Sequence, residues 1–336
     1  MEKTYRHSIP FVYKLLAGFL FFLAMFVIAM LIGAADTTLR DVWLAISSQA
    51  AEEKISLVRD LRLPREIAAI FVGAALAIAG AIMQGMTKNP LADPGLLGLT
   101  AGAQAALATA MALFPTVGSF GLMLACMIGA AAGAVLVYGI STVKKGGFSA
   151  LRIVLAGVAV SSFLHAIAEG VGLAFKISKD VSMWTAGGLI GTSWGQLQVI
   201  VPCIAIGILL SLLLSKQLTI LSLSEEVAVG LGQKTTSIKT LLFLVIIMLT
   251  GASVALIGNM TFIGLMVPHI VRALVGTDYR SILPMSALVG ASFMLIADTL
   301  GRTVNAPYET PVAAIIAVIG LPFFLFVVRK GGSTLS

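Results

Sequence analysis

The sequence predicts an all-α membrane protein of about ten spanning helices, and three observations predict it. Of its 336 residues 59% are hydrophobic and 11% charged, with a mean hydropathy of +1.04. A soluble domain carries roughly 25% charge, so this chain cannot coat a globule of its own size. The apolar residues gather in runs near the ~20 residues that a bilayer-crossing helix needs. Lys and Arg fall unevenly on the segments between those runs, as retention of cations on the cytoplasmic side requires.

The elements follow in order. Residues 1–14 are polar and basic, and the apolar run 11–33 lacks an Ala-x-Ala-like cleavage site, so it reads as a retained first helix or, physically the same object, an uncleaved signal anchor. Further spans are expected at 66–86, 95–113, 118–141, 150–173, 190–215, 239–257, 259–276, 282–300 and 311–328. The spans at 95–113 and 259–276 are short or rich in Gly and Pro and read as tilted or broken. The 34 glycines suit helices whose backbones approach closely in lipid.

With the N-terminus placed in the cytoplasm, Arg40, Lys54, Arg59, Arg62, Arg65, Lys176, Lys179 and Arg302 fall outside, and the larger remainder of the 22 cations falls inside. Both termini are therefore expected in the cytoplasm. This bias accounts for the net charge of +7 without a nucleic-acid partner. Cys126 and Cys203, each within an apolar run, read as small buried hydrophobes, and the three histidines have no zinc-ligand spacing. No Gly-x-x-x-x-Gly-Lys-Ser/Thr phosphate loop occurs, so any ATPase is another chain. Residues 1–336 read as a single polytopic domain. Similar strings beginning at Gly73 and Gly251, five spans apart, suit an inverted repeat.

Five features stand out. Arg62-Leu63-Pro64-Arg65 opens the second helix at its outer mouth, where Pro is tolerated. The two arginines read either as interfacial anchors or as outward-pointing partners for carboxylates. The string QGMTKNPLADPGLLG, Gln84 to Gly98, breaks the helix with two prolines at its cytoplasmic end; a gate and a plain turn both fit. LSLSEEVAVGLG, from Leu221 to Gly232, lies in the longest cytoplasmic loop. There Ser224, Glu225 and Glu226 suit a helix N-terminus, and Gly230 and Gly232 suit its end. It reads as an interaction helix or as a connector. Pro268 and His269 mark a kink, with His269 serving structure. Asp298 and Arg302 are spaced to pair one turn apart. His165 and Glu169 share that spacing and either line a watery path or satisfy each other.

Together these strings resemble the FecCD-type permeases, the membrane subunits of iron-siderophore, heme and vitamin B12 ABC importers. The resemblance runs from about Leu61 to Arg329. It includes RLPR at Arg62, NPLADPGLLG at Asn89, Gly187-Gly188, the Leu221–Gly232 loop and FIGLMVPHIVR at Phe262. It closes with LPMSALVGASFMLIADTLGR at Leu283 and ETPVAAIIAVIGLPFFLFVVRK at Glu309. Thr310 and Ala313 depart from it, standing where such permeases usually carry Leu or Met and Gly.

The resemblance implies a fold like that of the vitamin B12 importer permease, with ten helices and a dimer whose interface carries the pathway. It implies cytoplasmic ABC ATPase subunits docking on a coupling helix at about 221–232 (Ser224, Glu225, Glu226, Gly230, Leu231, Gly232). It further implies an extracytoplasmic substrate-binding protein meeting Arg62, Arg65 and Arg302, and a cytoplasmic gate at Asn89 and Leu91 near Ser149–Leu151. The second permease subunit is identical or paralogous. No catalytic residue, cofactor or metal ligand is expected, because the chelator already satisfies the ion. An ion-coupled secondary transporter needs ionisable residues deep in the spans, for which Asp298, Glu169 and His165 are the candidates. An intramembrane enzyme needs a catalytic pair at one depth, and the sequence offers none.

Overall fold

Fifteen α-helices and two short distorted turns make up the computed structural model, which describes residues 9–33, 37–48, 52–142, 150–185, 187–223, 225–306 and 308–331. The chain opens with α1 (Phe11–Leu31), the short α2 (Leu39–Ser47) and α3 (Glu53–Leu57), and a π-helical turn, Val58–Arg62, that leads into α4 (Leu63–Thr87). A 3₁₀ turn, Gly95–Leu97, precedes α5 (Leu99–Leu113). Next come α6 (Ser119–Thr142), α7 (Ala150–Ala174), α8 (Ser178–Thr185), α9 (Trp194–Leu213), α10 (Ser215–Leu221) and α11 (Glu225–Gly230). The chain ends with α12 (Thr235–Ile257), α13 (Ile263–Val275), α14 (Tyr279–Thr303) and α15 (Val312–Gly331). No strand occurs among the described residues.

Seven helices are long and apolar enough to cross a membrane, and three shorter apolar helices, α5, α13 and the described part of α15, accompany them. These are the ten segments the apolar runs predict. The two expected to be irregular are the shortest, at 15 and 13 residues; at ~1.5 Å per residue neither covers ~30 Å of hydrocarbon. Each starts from a left-handed residue, Gly98 (φ 75°) ahead of α5 and Phe262 (φ 68°) ahead of α13. A phenylalanine in that region is strained. The amide of Gln84 donates to the carbonyls of Gly264 (3.2 Å) and Leu265 (3.3 Å) just beyond it, where a broken helix needs partners inside the protein.

The core gathers on α4, whose most apolar window is 83% buried, against 11% for α1. Helix α4 packs on α14, α12, α13 and α9, while α5 lies between α6 and α7, and α1 lies on α14. Small residues make the crossings close. A side chain at Gly73 would run into the backbone of Gly290, and one at Gly80 into the backbone of Gly264. Gly102 and Gly129 meet in the same way between α5 and α6. In lipid no hydrophobic effect drives helices together, so such contact is a main source of cohesion.

The charged residues separate to two ends. Lys14 donates to Leu274 O at 2.8 Å, placing the start of α1 beside the end of α13. His269 stacks edge-on against Phe323 at 5.8 Å between centroids, so α15 runs back toward that same end. Lys88, Lys216, Lys234, Arg272 and Arg280 lie in or next to the terminal turns of the helices that meet there. The opposite end carries α2, α3, the π-turn, the start of α9 and the end of α14. Trp194 Nε1 donates to Arg59 O at 3.1 Å and so ties α9 to the π-turn.

Candidate functional site

At the outer end Pro64 shapes the backbone first. It has no N–H to donate to the residue four back. The ladder slips ahead of it, and the Leu63 amide donates to Val58, five residues back. This π-turn carries Arg62, and α4 carries Arg65 and Glu66 one turn further in.

The three predicted arginines converge here, but they do not point outward. Arg62 is buried; its Nη1 donates to Met30 O at 2.6 Å and to the Thr37 hydroxyl, stitching the turn to the end of α1. Arg65 forks onto Asp298, with Nε at 3.0 Å and Nη2 at 2.8 Å from Oδ1, and its Nη1 donates to Glu309 Oε1 at 2.8 Å. Arg302 Nη2 meets Glu66 Oε1 at 2.5 Å, and its Nε lies 3.0 Å from Asp298 Oδ2, the expected pair one turn apart. Three guanidinium groups thus face three carboxylates. Gly33 makes room: a side chain there would strike Arg62 and crowd Arg302. The outward direction expected of Arg62 and Arg65 is corrected for a physical reason. A charge at the rim of a span is held more cheaply by a buried opposite charge than by apolar surroundings. Glu66 went unremarked in the sequence; an acid within an apolar run was the signal for it.

At the inner end α11 stands off the helical body. Ala228 is buried beneath it, while Glu226, Val227, Val229, Gly230, Leu231 and Gly232 are exposed, Leu231 to 63%. Its C-terminus is a complete Schellman motif: Gln233 N donates to Ala228 O at 3.0 Å and Gly232 N to Val229 O at 2.8 Å, with Gly232 at φ 76°. Glycine takes that conformation without steric cost. Ser224 lies outside the described residues, and Glu225 is the first residue of α11. The segment is anchored from behind. Gln233 Nε2 donates to Gln217 O at 2.9 Å, and Thr219 donates to Asp278 Oδ1 while accepting from Tyr279 N, both at 3.0 Å. Asp278 caps α14, and the Arg280 side chain bonded to it holds its carboxyl below the usual carboxylate range.

The expected gate loop leaves α4 through Lys88 at φ 53°. Asn89 and Leu91 are half-buried, and Asn89 Oδ1 accepts from Leu91 N at 3.0 Å. Asp93, buried behind them, accepts from Gly95 N at 2.7 Å. Two side chains thereby fix two successive bends. Arg272 bonds Gln84 Oε1 and so links this loop's root to α13. Ser149 lies outside the described residues.

A sequence profile described as the FecCD transport family matches residues 20–330. The chain belongs to that family. Among its relatives is the iron(3+)-hydroxamate import system permease of Bacillus subtilis, 44% identical over 89% of this chain and 78% of its own. The hemin transport system permease of Yersinia pestis is 36% identical over 94% and 96%. The Fe(3+) dicitrate transport system permease of Escherichia coli is 36% identical over 82% and 84%. A solved inward-facing structure assigned to the metal-chelate type of ABC transporter superposes with a TM-score of 0.81 at 27% identity, covering 95% of this chain and 99% of that one. As a FecCD member the chain is a multi-pass transport permease of the cell membrane.

Proposed function

We propose that this FecCD permease forms half of an ATP-driven importer that carries an iron(III)–siderophore or related metal chelate across the cytoplasmic membrane. The observation that carries the reading is α11, a short helix whose exposed Val227 and Val229, with Leu231 just past its end, are held off the inner end of a membrane body. An exposed apolar patch on an otherwise charged end is a binding surface, and here its partner is a cytoplasmic ATPase. The names of the relatives above support a chelate as cargo. An extracytoplasmic binding protein docks at the outer end. Arg62, Arg65 and Arg302 frame that surface by tying α1, the π-turn, α4 and α14 into one platform, and the Arg65–Glu309 pair lies at its edge. Asn89 and Leu91 close the path at the inner end, and a second permease subunit completes it.

The test is reconstitution in vesicles with the partner ATPase and binding protein. Uptake of an iron chelate is expected to require ATP and to vanish when the ATPase loses its phosphate-loop lysine. Uptake driven by a proton or sodium gradient without the ATPase would overturn the proposal.

A further inference from the structure

Helix α7 sets polar side chains among its exposed apolar ones, Leu155, Val158, Phe163 and Leu173. Ser162 and Glu169 are exposed and His165 is half-buried, all within two turns of one face. Glu169 makes no ion pair among the described residues, so of the two readings of its spacing with His165 the one in which they satisfy each other is not realised there. Ser161, beside Ser162, has a buried hydroxyl oxygen with no hydrogen-bond partner. The other peripheral helices contrast with it. From Phe120 to Leu136 in α6, Pro202 to Leu213 in α9 and Val318 to Phe326 in α15, the exposed side chains are all apolar, and nearer the ends of α6 and α9 the exposed polar ones, Tyr138 and Gln198, are uncharged. An unpaired carboxylate within a span faces water or protein. It lies five residues before the end of α7, about 7 Å inside the helix at ~1.5 Å per residue. Lys176, Lys179 and Asp180 lie beyond that end.

We infer that Glu169, with Ser162 and His165 on its face, lines the passage and selects the cargo by charge, admitting neutral and cationic iron(III) chelates over polyanionic ones. The inference rests on the importer reading above. In a two-subunit passage each copy contributes one such carboxylate, so a negative chelate meets repulsion in surroundings less polar than water, where charges act more strongly. The chelator's chemistry sets the class. Three singly charged hydroxamates cancel the charge of iron(III), whereas three doubly charged catecholates leave a trianion and citrates leave anions. The permitted class is the trihydroxamate kind, including those with a pendant ammonium.

The experiment holds the chelating core constant. Trihydroxamate iron(III) complexes with a pendant ammonium, a pendant carboxylate or no pendant are presented on saturated binding protein to the permease–ATPase complex in vesicles. Initial ATP-dependent uptake rates are compared for wild type, Glu169→Gln and Glu169→Lys. The wild type is expected to favour the ammonium over the carboxylate form by about fivefold or more, Glu169→Gln to bring the ratio near one, and Glu169→Lys to invert it. Size-exclusion profiles and co-purification with the ATPase report that each variant is folded, and the wild-type ratio stands as a test without any variant. A wild-type ratio near one, or a ratio unmoved in both variants, would overturn the selectivity while leaving the importer intact. No ATP-dependent uptake of any of the three by wild type would overturn both.

Discussion

Arg65 grips Asp298 through two nitrogens, although 233 residues separate them in the chain. Asp298 is fully buried and serves Arg302 as well. Asp298→Ala therefore takes a partner from two guanidinium groups at once, leaving Arg65 only the half-exposed Glu309 and Arg302 only Glu66. Breaking a buried pair by removing one partner costs about 3–5 kcal/mol, so this variant is expected to lose most of its folded yield in detergent. Glu309→Ala, which removes the more exposed acid from Arg65, is expected to cost about 1 kcal/mol or less. Thermal unfolding of both variants checks the ranking, and equal losses would contradict it.

Gly80 and Gly264 touch through their backbones. Gly80→Leu is expected to separate α4 from α13 and abolish assembly. Gly230→Leu, at a position with open space around it, is expected to leave the unfolding temperature within about 2 °C of wild type, as surface substitutions do. Size-exclusion profiles check the first variant and melting curves the second.

Val229→Asp and Leu231→Asp alter the exposed surface of α11 without touching Ala228 beneath it. Each is expected to weaken ATPase binding at least tenfold, about 1.4 kcal/mol, with an unchanged unfolding temperature. Co-purification with the ATPase measures the first and a melting curve the second. Gly232→Ala is expected to cost about 1 kcal/mol locally, because alanine resists φ 76°.

Asp278 joins α10 to the first turn of α14. Its folded pKa is depressed, so its contribution is complete above the unfolded value of about 3.9 and is lost as pH falls through the lower, folded one. Asp278→Ala is expected to melt earlier than wild type at pH 7, by the ~1 kcal/mol typical of an N-cap. The gap should close as pH is lowered below about 4. A gap independent of pH would place the effect in packing instead.

Much of this architecture is legible in the residues, because lipid imposes a length and an apolar composition that runs such as 11–33 and 239–257 satisfy by themselves. The short helices α2, α3, α8 and α10 were not, since pieces of five to nine residues between spans carry no comparable signature. The arginines were legible as a group at one mouth, but not in direction. Their partners Asp298 and Glu309 come from the far end of the chain, and Glu66 is masked by its apolar neighbours. The α11 loop was readable because glycine chemistry at a helix end is local: the Schellman bonds of Gly232 and Gln233 need only residues up to five apart.

The contacts of Gly73 with Gly290 and Gly80 with Gly264 leave α4 no slack against α13 and α14. Main chain resting on main chain has no rotamers to adjust and no side chain to yield. These three helices consequently behave as a stiff axle. Movement started at the cytoplasmic end has to be delivered by swinging lighter, outlying helices such as α7 and α15 around it, and not by bending it.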